Sequence, residues 1–311
     1  MLRYAAMFPG QGSQYIGMGR EIFDAHPVAR SIFQRADEVL GFPLSRLCFE
    51  GPEQELTLTA NSQPAILTCS LAIYEALAAA GLRPAFGAGH SLGEYSALVA
   101  ARALSFEDAV QLVRIRGDLM QQVVAVGEGA MAAILGLSPS IVDAVCAEAA
   151  QSEVCSEANY NSPRQVVVAG SREAVGRAAQ LANARGARKV VKLQVSAPFH
   201  CNMMRPAEVR LEPILDAIEF KDPQFTIVCN VDAQPISSGT AARAALKVQV
   251  SRPVRWEQSM RRLLDWGAEA FVEVGPGNTL TGLMRQIERR APVFNTDPLR
   301  NLEKLRLRWT S

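Results

Sequence analysis

Pro84-Ala85-Phe86-Gly87-Ala88-Gly89-His90-Ser91-Leu92-Gly93-Glu94-Tyr95-Ser96-Ala97-Leu98-Val99-Ala100-Ala101 reads as a short apolar strand, a tight turn and a helix rich in small residues. The turn holds Gly89-His90-Ser91-Leu92-Gly93, a match to G-x-S-x-G. In that pattern an exposed serine sits on a sharp strand-to-helix turn, and small flanking residues avoid clashes. Ser91 would then lie at a helix N-terminus, where free N–H groups favour developing negative charge. The pentapeptide alone also fits a chance glycine-rich turn; the flanking strand and helix favour the first reading. The glycines spell neither G-x-G-x-x-G nor a phosphate-binding loop, so nucleotide binding is set aside.

Outward from this turn, apolar runs alternate with helical patterns, the mark of an α/β fold with a parallel sheet. One segment reads differently. Met131–Gly136 predicts a strand and Pro139–Ala150 a helix starting near Ser138. Val154–Ala158 and Val166–Ala169 predict two strands, with Asn159-Tyr160-Asn161-Ser162-Pro163 between them as turn chemistry. Glu173–Ala184 predicts a helix stopped by Gly186, and Lys189–Val195 a last strand. That order, βαββαβ, is the ferredoxin-like unit. Residues 127–196 are therefore expected to be an inserted small domain, and residues 1–126 with 197–311 one larger α/β body.

The whole chain has 311 residues, enough for about two domains of ordinary size. Hydrophobic residues make up 49% and charged residues 20%, a globular composition. A net charge of +1 argues against a broad nucleic-acid-binding surface. The start, Met1 to Pro9, has no long apolar core ahead of a small-residue cleavage site, so no signal peptide is expected. Ile66 to Leu82 is too short for a typical membrane span and carries Glu75; it predicts a buried helix. Asn61 or Ser62 would cap that helix, with Pro64 in its first turn and Gly81 at its end. The six cysteines form no C-x-x-C and are read as reduced thiols in a cytoplasmic protein. With only three histidines, no metal site is expected.

A serine nucleophile needs a base. His90 adjoins Ser91, but neighbours at a turn usually point apart. His26 reads as a surface residue. His200 follows the last strand of the insert, where the chain re-enters the large body; it is either the base or merely packed. Ser105 to Val124 predicts one amphipathic helix capped by Ser105. Arg116 projects near the middle of its apolar arc, and Gly117 leaves room for a close neighbour. A guanidinium aimed inward is costly unless an anion meets it. The anion is either an internal carboxylate or a substrate carboxylate, which arginine's planar fork suits.

Six segments occur in order: Phe8-Pro9-Gly10-Gln11-Gly12-Ser13-Gln14, Gly89-His90-Ser91-Leu92-Gly93-Glu94, Arg116-Gly117, Ala197-Pro198-Phe199-His200, Gln249 four residues before Pro253-Val254-Arg255-Trp256, and Val274-Gly275-Pro276-Gly277. Together they resemble the bacterial malonyl-CoA:acyl-carrier-protein transacylase family over nearly the whole chain. The resemblance implies an α/β-hydrolase-like core with a ferredoxin-like insert. It also implies malonyl transfer from malonyl-CoA, a substrate and not a cofactor, to the phosphopantetheine thiol of acyl carrier protein, by a ping-pong route in fatty-acid synthesis. On that resemblance Ser91 is the nucleophile and His200 its base, oriented by the Gln249 carbonyl. The amides of Gln11 and Leu92 form the oxyanion hole. Arg116 binds the malonyl carboxylate, with Gln249 beside it among the substrate-binding residues. Read from the residues themselves, Asn159 and Asn161 are either contacts to the thioester arm, with Asn161 counted among the substrate-binding residues, or ordinary Asn-Tyr-Asn turn chemistry. The Phe199-His200 pair resembles malonyl-selective members. Acidic carrier proteins call for a local basic patch, with Arg185, Arg188, Lys189 and Lys192, or Arg285, Arg289 and Arg290, as candidates. The protein is expected to work as a monomer without cofactor, membrane or nucleic acid. The same residues would serve a stand-alone acyltransferase of a polyketide pathway. An acyl-carrier-protein hydrolase on the same scaffold would have no use for Arg116.

Overall fold

Ten strands form two sheets in a computed structural model of the chain, which describes residues 3–125, 127–195 and 197–310. In chain order they are β1 (Tyr4–Phe8), β2 (Phe86–Gly89), β3 (Gly129–Leu135), β4 (Cys155–Ser162), β5 (Gln165–Ser171), β6 (Lys189–Lys192), β7 (Thr226–Val228), β8 (Pro235–Ile236), β9 (Ala270–Glu273) and β10 (Val293–Asn295). The larger sheet runs β10-β9-β1-β2-β7-β8, with every neighbouring pair parallel except β7 and β8. Its central strands β1, β2 and β9 are buried along their whole length. This is why they read as continuous apolar runs and not as alternating ones: a parallel sheet is covered by helices on both faces.

Parallel strands send their carboxyl ends to one edge, which is where open α/β sheets build their sites. β1 runs into Gln11, β2 into Ser91 and β7 into Asn230, so three loops distant in sequence converge there.

The second sheet has the order β4-β5-β3-β6 and is antiparallel throughout. With helices Pro139–Ala150 and Arg172–Ala184 it makes the βαββαβ unit. The two expected domain junctions touch Val126 and Ser196, which lie outside the described residues. The predicted Asn159–Pro163 turn is corrected by the structure: β4 continues through Ser162, and the reversal falls at Pro163-Arg164. The asparagines are in a strand because β4 pairs on both sides. Within the sheet it runs beside β5, and across it the Tyr160 amide donates to the Val254 carbonyl (2.9 Å) while the Val254 amide donates to Ala158 (2.8 Å). That exchange ties the small sheet to the larger body.

The apolar helix also starts earlier than its local signals suggest. It spans Thr59–Ala79 with Leu58 at the N-cap, and Pro64 lies inside it. Neither Asn61 nor Ser62 caps it. Its early polar groups are met instead by the neighbouring helix, Phe106–Gln122. Gln121 accepts the Ala60 amide at 2.9 Å. Arg114 donates at 3.2 Å to the Ala60 carbonyl, which Pro64, lacking an N–H, leaves without its helical donor. The Phe106–Gln122 helix begins as predicted, with Ser105 Oγ accepting the Asp108 amide at 3.0 Å. Among the described residues no helix is long and apolar enough to cross a membrane.

Two glycines are fixed by close approach. A Cβ on Gly93 would stand 2.0 Å from the Phe8 carbonyl oxygen, and one on Gly117 2.7 Å from Ala60 Cα. Both clashes are with backbone that cannot swing away. Gly282, in the Thr279–Ile287 helix, faces open space. Gly93→Ala and Gly117→Ala should each lower unfolding stability by about 1–3 kcal/mol, whereas Gly282→Ala should raise it by about 0.5–1 kcal/mol. Urea titrations followed by circular dichroism check this; equal effects at all three sites would contradict the packing described.

Candidate active site

Ser91 is held in the left-handed region at φ 53°, between β2 and the Gly93–Ala100 helix. A serine tolerates that conformation only where its surroundings enforce it. Asn230, at the end of β7, supplies the restraint. Its Oδ1 accepts the Ser91 amide at 2.8 Å, and its Nδ2 donates to the Gly89 carbonyl at 2.6 Å. The turn thus presents the Ser91 hydroxyl to a cavity of about 310 Å³ walled by Gln11, Gln63, Leu92, Arg116, Met120, Met131, Phe199 and His200, among others.

His200 Nε2 lies 2.7 Å from Ser91 Oγ. On the other side of the ring, Nδ1 lies 2.9 Å from the Gln249 carbonyl and 3.0 Å from the Arg252 carbonyl. Carbonyls only accept, so the proton belongs on Nδ1 and the Nε2 lone pair faces the hydroxyl. Among the described residues no carboxylate hydrogen-bonds to this histidine. Burial and, next, the nearby Arg116 charge pull its pKa down to about 3, against the pull of the two carbonyls. The ring is therefore a neutral, available base at neutral pH. His90 faces away from Ser91: its Nε2 meets Asn161 Oδ1 at 2.8 Å, and its ring packs near Trp256.

Arg116 is 1% exposed. Its Nη1 donates to Gln63 Oε1 at 2.8 Å, and its Nη2 to Gln249 Oε1 at 3.0 Å and to Ser91 Oγ at 3.2 Å. Its Nε has no partner among the described residues. The guanidinium carbon sits 5.4 Å from the Tyr95 ring centre. Among the described residues no carboxylate comes within ion-pair distance of it. The side chain therefore has no internal carboxylate in direct contact, and the Glu94 charge acts on it only at longer range. Gly117 allows the arrangement by letting the Thr59–Ala79 helix, which carries Gln63, come close.

Gln249 is fully buried behind Arg116. It does not line the cavity, and its side chain supports the guanidinium. Its Nε2 donates to the Ser91 carbonyl at 2.8 Å and to Glu94 Oε2 at 2.7 Å. Gln11 and Leu92 both line the cavity, and among the described residues neither backbone amide donates a hydrogen bond within the chain. Asn161 is held against His90; the asparagine on the cavity wall is Asn159. Sequence reasoning missed Asn230 and the structural part of Glu94. No local pattern marks Asn230, and Glu94 reads simply as a first-turn acid. Of the basic candidates, Arg185 pairs with Glu148, while Arg188, Lys189 and Lys192 are exposed at β6, whose chain runs on to the cavity wall at Leu193, Gln194 and Val195. Arg285, Arg289 and Arg290 are exposed as well.

The arrangement joins an activated hydroxyl, a neutral base and a buried cation at one point, the requirements of acyl chemistry on an anionic acyl group. A family model described as acyl transferase domain matches residues 6–296. The chain is 45% identical over 291 residues to the malonyl CoA-acyl carrier protein transacylase of Bacillus subtilis (strain 168), covering 93% of this chain and 92% of that protein. The solved malonyl CoA-acyl carrier protein transacylase from Coxiella burnetii superposes with a TM-score of 0.97 at 40% identity, covering 100% of this chain and 98% of that one. A solved complex of a type II PKS acyl-carrier protein with its malonyl-transacylase matches with a TM-score of 0.96 at 42% identity, covering 98% and 99%. With its fold, its catalytic geometry and its near-full-length likeness in agreement, the chain belongs to the malonyl CoA-acyl carrier protein transacylase family of acyl transferases.

Proposed function

We propose that the chain transfers the malonyl group of malonyl-CoA to the phosphopantetheine thiol of acyl carrier protein, through a malonyl ester on Ser91. The observation that carries this reading is the place of the Ser91 hydroxyl, 2.7 Å from a neutral imidazole and 3.2 Å from a buried guanidinium. His200 Nε2 takes the hydroxyl proton as Oγ attacks the thioester carbonyl. The Gln11 and Leu92 amides receive the oxyanion; losing one such donor typically costs about 10²–10³ in rate. The tetrahedral adduct expels the CoA thiolate, which takes the proton from His200. The carrier's thiol then gives its proton to His200, attacks the ester carbonyl, and the departing Ser91 oxygen recovers that proton. Arg116, with its spare Nε–H and its Nη2, holds the malonyl carboxylate and so favours a diacid over a simple acyl group. The apolar wall of Met120, Met131 and Phe199 keeps water from the ester.

No cofactor enters this scheme. We take residues 127–196 as an inserted domain whose exposed Arg188, Lys189 and Lys192 face an acidic carrier protein, and the protein as a cytoplasmic monomer supplying fatty-acid synthesis. Of the two asparagines considered for the thioester arm, Asn159, on the cavity wall, is the one within reach, and Asn161 is held by His90. A second reading, service to a polyketide carrier protein, is favoured by the likeness to the transacylase solved with a type II PKS carrier. Transfer rates with a panel of carrier proteins separate the two.

Intact-mass measurement after mixing with malonyl-CoA should show one malonyl group added to the wild type and none to Ser91→Ala. Arg116→Ala should lose on the order of 10²-fold in kcat/KM for malonyl-CoA relative to acetyl-CoA, the effect of removing charge-assisted contacts of about 1.5–3 kcal/mol. An equal loss with both substrates would favour a hydrolase on this scaffold. The acid limb of kcat/KM should lie below pH 5 and not near the ordinary histidine value of 6.5, because His200 is held neutral. The same shift acts on stability. Below about pH 6.5 the unfolded chain binds a proton at His200 that the folded chain refuses, so stability should fall as the pH drops from there. A limb near pH 6.5 would mean that His200 titrates normally.

A further inference from the structure

Beneath the Ser91 turn lies a carboxylate that the acyl-transfer steps do not use. Glu94, in the first turn of the Gly93–Ala100 helix, is fully buried. Its Oε2 accepts from Gln249 Nε2 at 2.7 Å and from the Asn230 amide at 3.4 Å. Its Oε1 has no partner among the described residues. The same Gln249 amide turns its oxygen to Arg116 at 3.0 Å. One buried amide therefore stands between Arg116 and this acid. Flipping it would aim its N–H groups at the guanidinium and its oxygen at two acceptors, so the amide is fixed in one orientation.

The groups facing Glu94 can be named. Arg116, from the Phe106–Gln122 helix, favours its charged form, and Asp232, in the turn after β7, disfavours it. Cys229, at the end of β7, and Tyr95, beside Glu94, also feel its charge; burial pushes both up, so both are neutral. Gln249 and Asn230 complete the shell. Burial is the largest influence and raises the Glu94 carboxyl to about 7, with the Gln249 and Asn230 hydrogen bonds and Arg116 opposing it. A proton on Oε1 would displace no existing hydrogen bond.

We propose that Glu94 is a positioning residue that shares Arg116 with the acyl carboxylate through the Gln249 amide, so that malonyl loading is coupled to uptake of a proton by Glu94. The inference rests on the malonyl-transfer reading above. While the pocket is empty of acyl group, Arg116 is the positive charge that offsets Glu94. Once a malonyl carboxylate pairs with the guanidinium, that compensation is divided between two anions, and the enclosed one without solvent takes a proton from bulk water. By reciprocity, deprotonating Glu94 must weaken malonyl binding, and each unit by which binding moves the Glu94 pKa corresponds to about tenfold in affinity.

Two measurements test this. The wild-type enzyme is mixed with stoichiometric malonyl-CoA in weakly buffered indicator at pH 7, with acetyl-CoA as the control that carries the same CoA phosphates and releases the same thiol. We expect a fraction of a proton taken up per active site with malonyl-CoA and none with acetyl-CoA; equal signals overturn the proposal. In the steady state, KM for malonyl-CoA should rise several-fold, up to about tenfold, between pH 6 and 8.5, while KM for acetyl-CoA should not. Glu94→Gln should flatten the malonyl profile and abolish the uptake; a profile that persists in this variant assigns the proton to another group and overturns the proposal. Intact mass distinguishes the deeper failure: if no malonyl ester forms on Ser91, the transfer reading itself is wrong.

Discussion

A guanidinium with no carboxylate against it among the described residues sits 3.2 Å from a nucleophilic hydroxyl, and much of the surrounding architecture serves to make that arrangement tolerable. Burying a charge without a counter-ion costs several kcal/mol unless dipoles replace the lost water. Here two glutamine oxygens and one aromatic face take that part. They come from different helices, so the cation can be held only when those helices are packed together. Gly117 permits that packing. A site built in this way suits an anionic guest, since such a guest supplies the charge that the protein withholds.

Gln249 links this cation to the rest of the chemistry. Its backbone carbonyl fixes the tautomer of His200, and its side chain engages Arg116, the Ser91 carbonyl and Glu94. The two carbonyls that orient His200 favour its protonated form, but burial and, next, the Arg116 charge outweigh them and keep the base neutral. This sets the site apart from the serine–histidine–aspartate arrangement, where a buried acid stabilises the imidazolium. The buried acid Glu94 is instead placed under the Ser91 turn, and among the described residues no hydrogen bond joins it to the imidazole.

Much of this was legible in the sequence wherever a local pattern carried the physics. The strand, turn and helix around Ser91, the βαββαβ order and the inward Arg116 each follow from spacing or periodicity, and the family resemblance identified Gln249 and its carbonyl. What escaped was set by partners distant in the chain. The start of the Thr59–Ala79 helix is satisfied by Gln121 and Arg114, some sixty and fifty residues on, so its local cap signals misled. The Asn159–Ser162 segment has turn chemistry but two pairing partners, and pairing prevailed. Asn230 clamps the serine turn from 139 residues away, a separation over which no single-sequence pattern reports. Asn161 was expected at the substrate; its side chain is held by His90, and Asn159, two residues earlier in a strand whose register shifts on both sides of it, lines the cavity.

Whether the guanidinium receives the acyl carboxylate beside the reacting hydroxyl can be read from a crystal structure of the protein trapped after reaction with malonyl-CoA. The expected structure holds an ester on Ser91 Oγ whose free carboxylate lies within hydrogen-bond distance of Arg116 Nη2 or Nε. A trapped ester whose carboxylate points into solvent, with Arg116 still bonded only to Gln63 and Gln249, would contradict it.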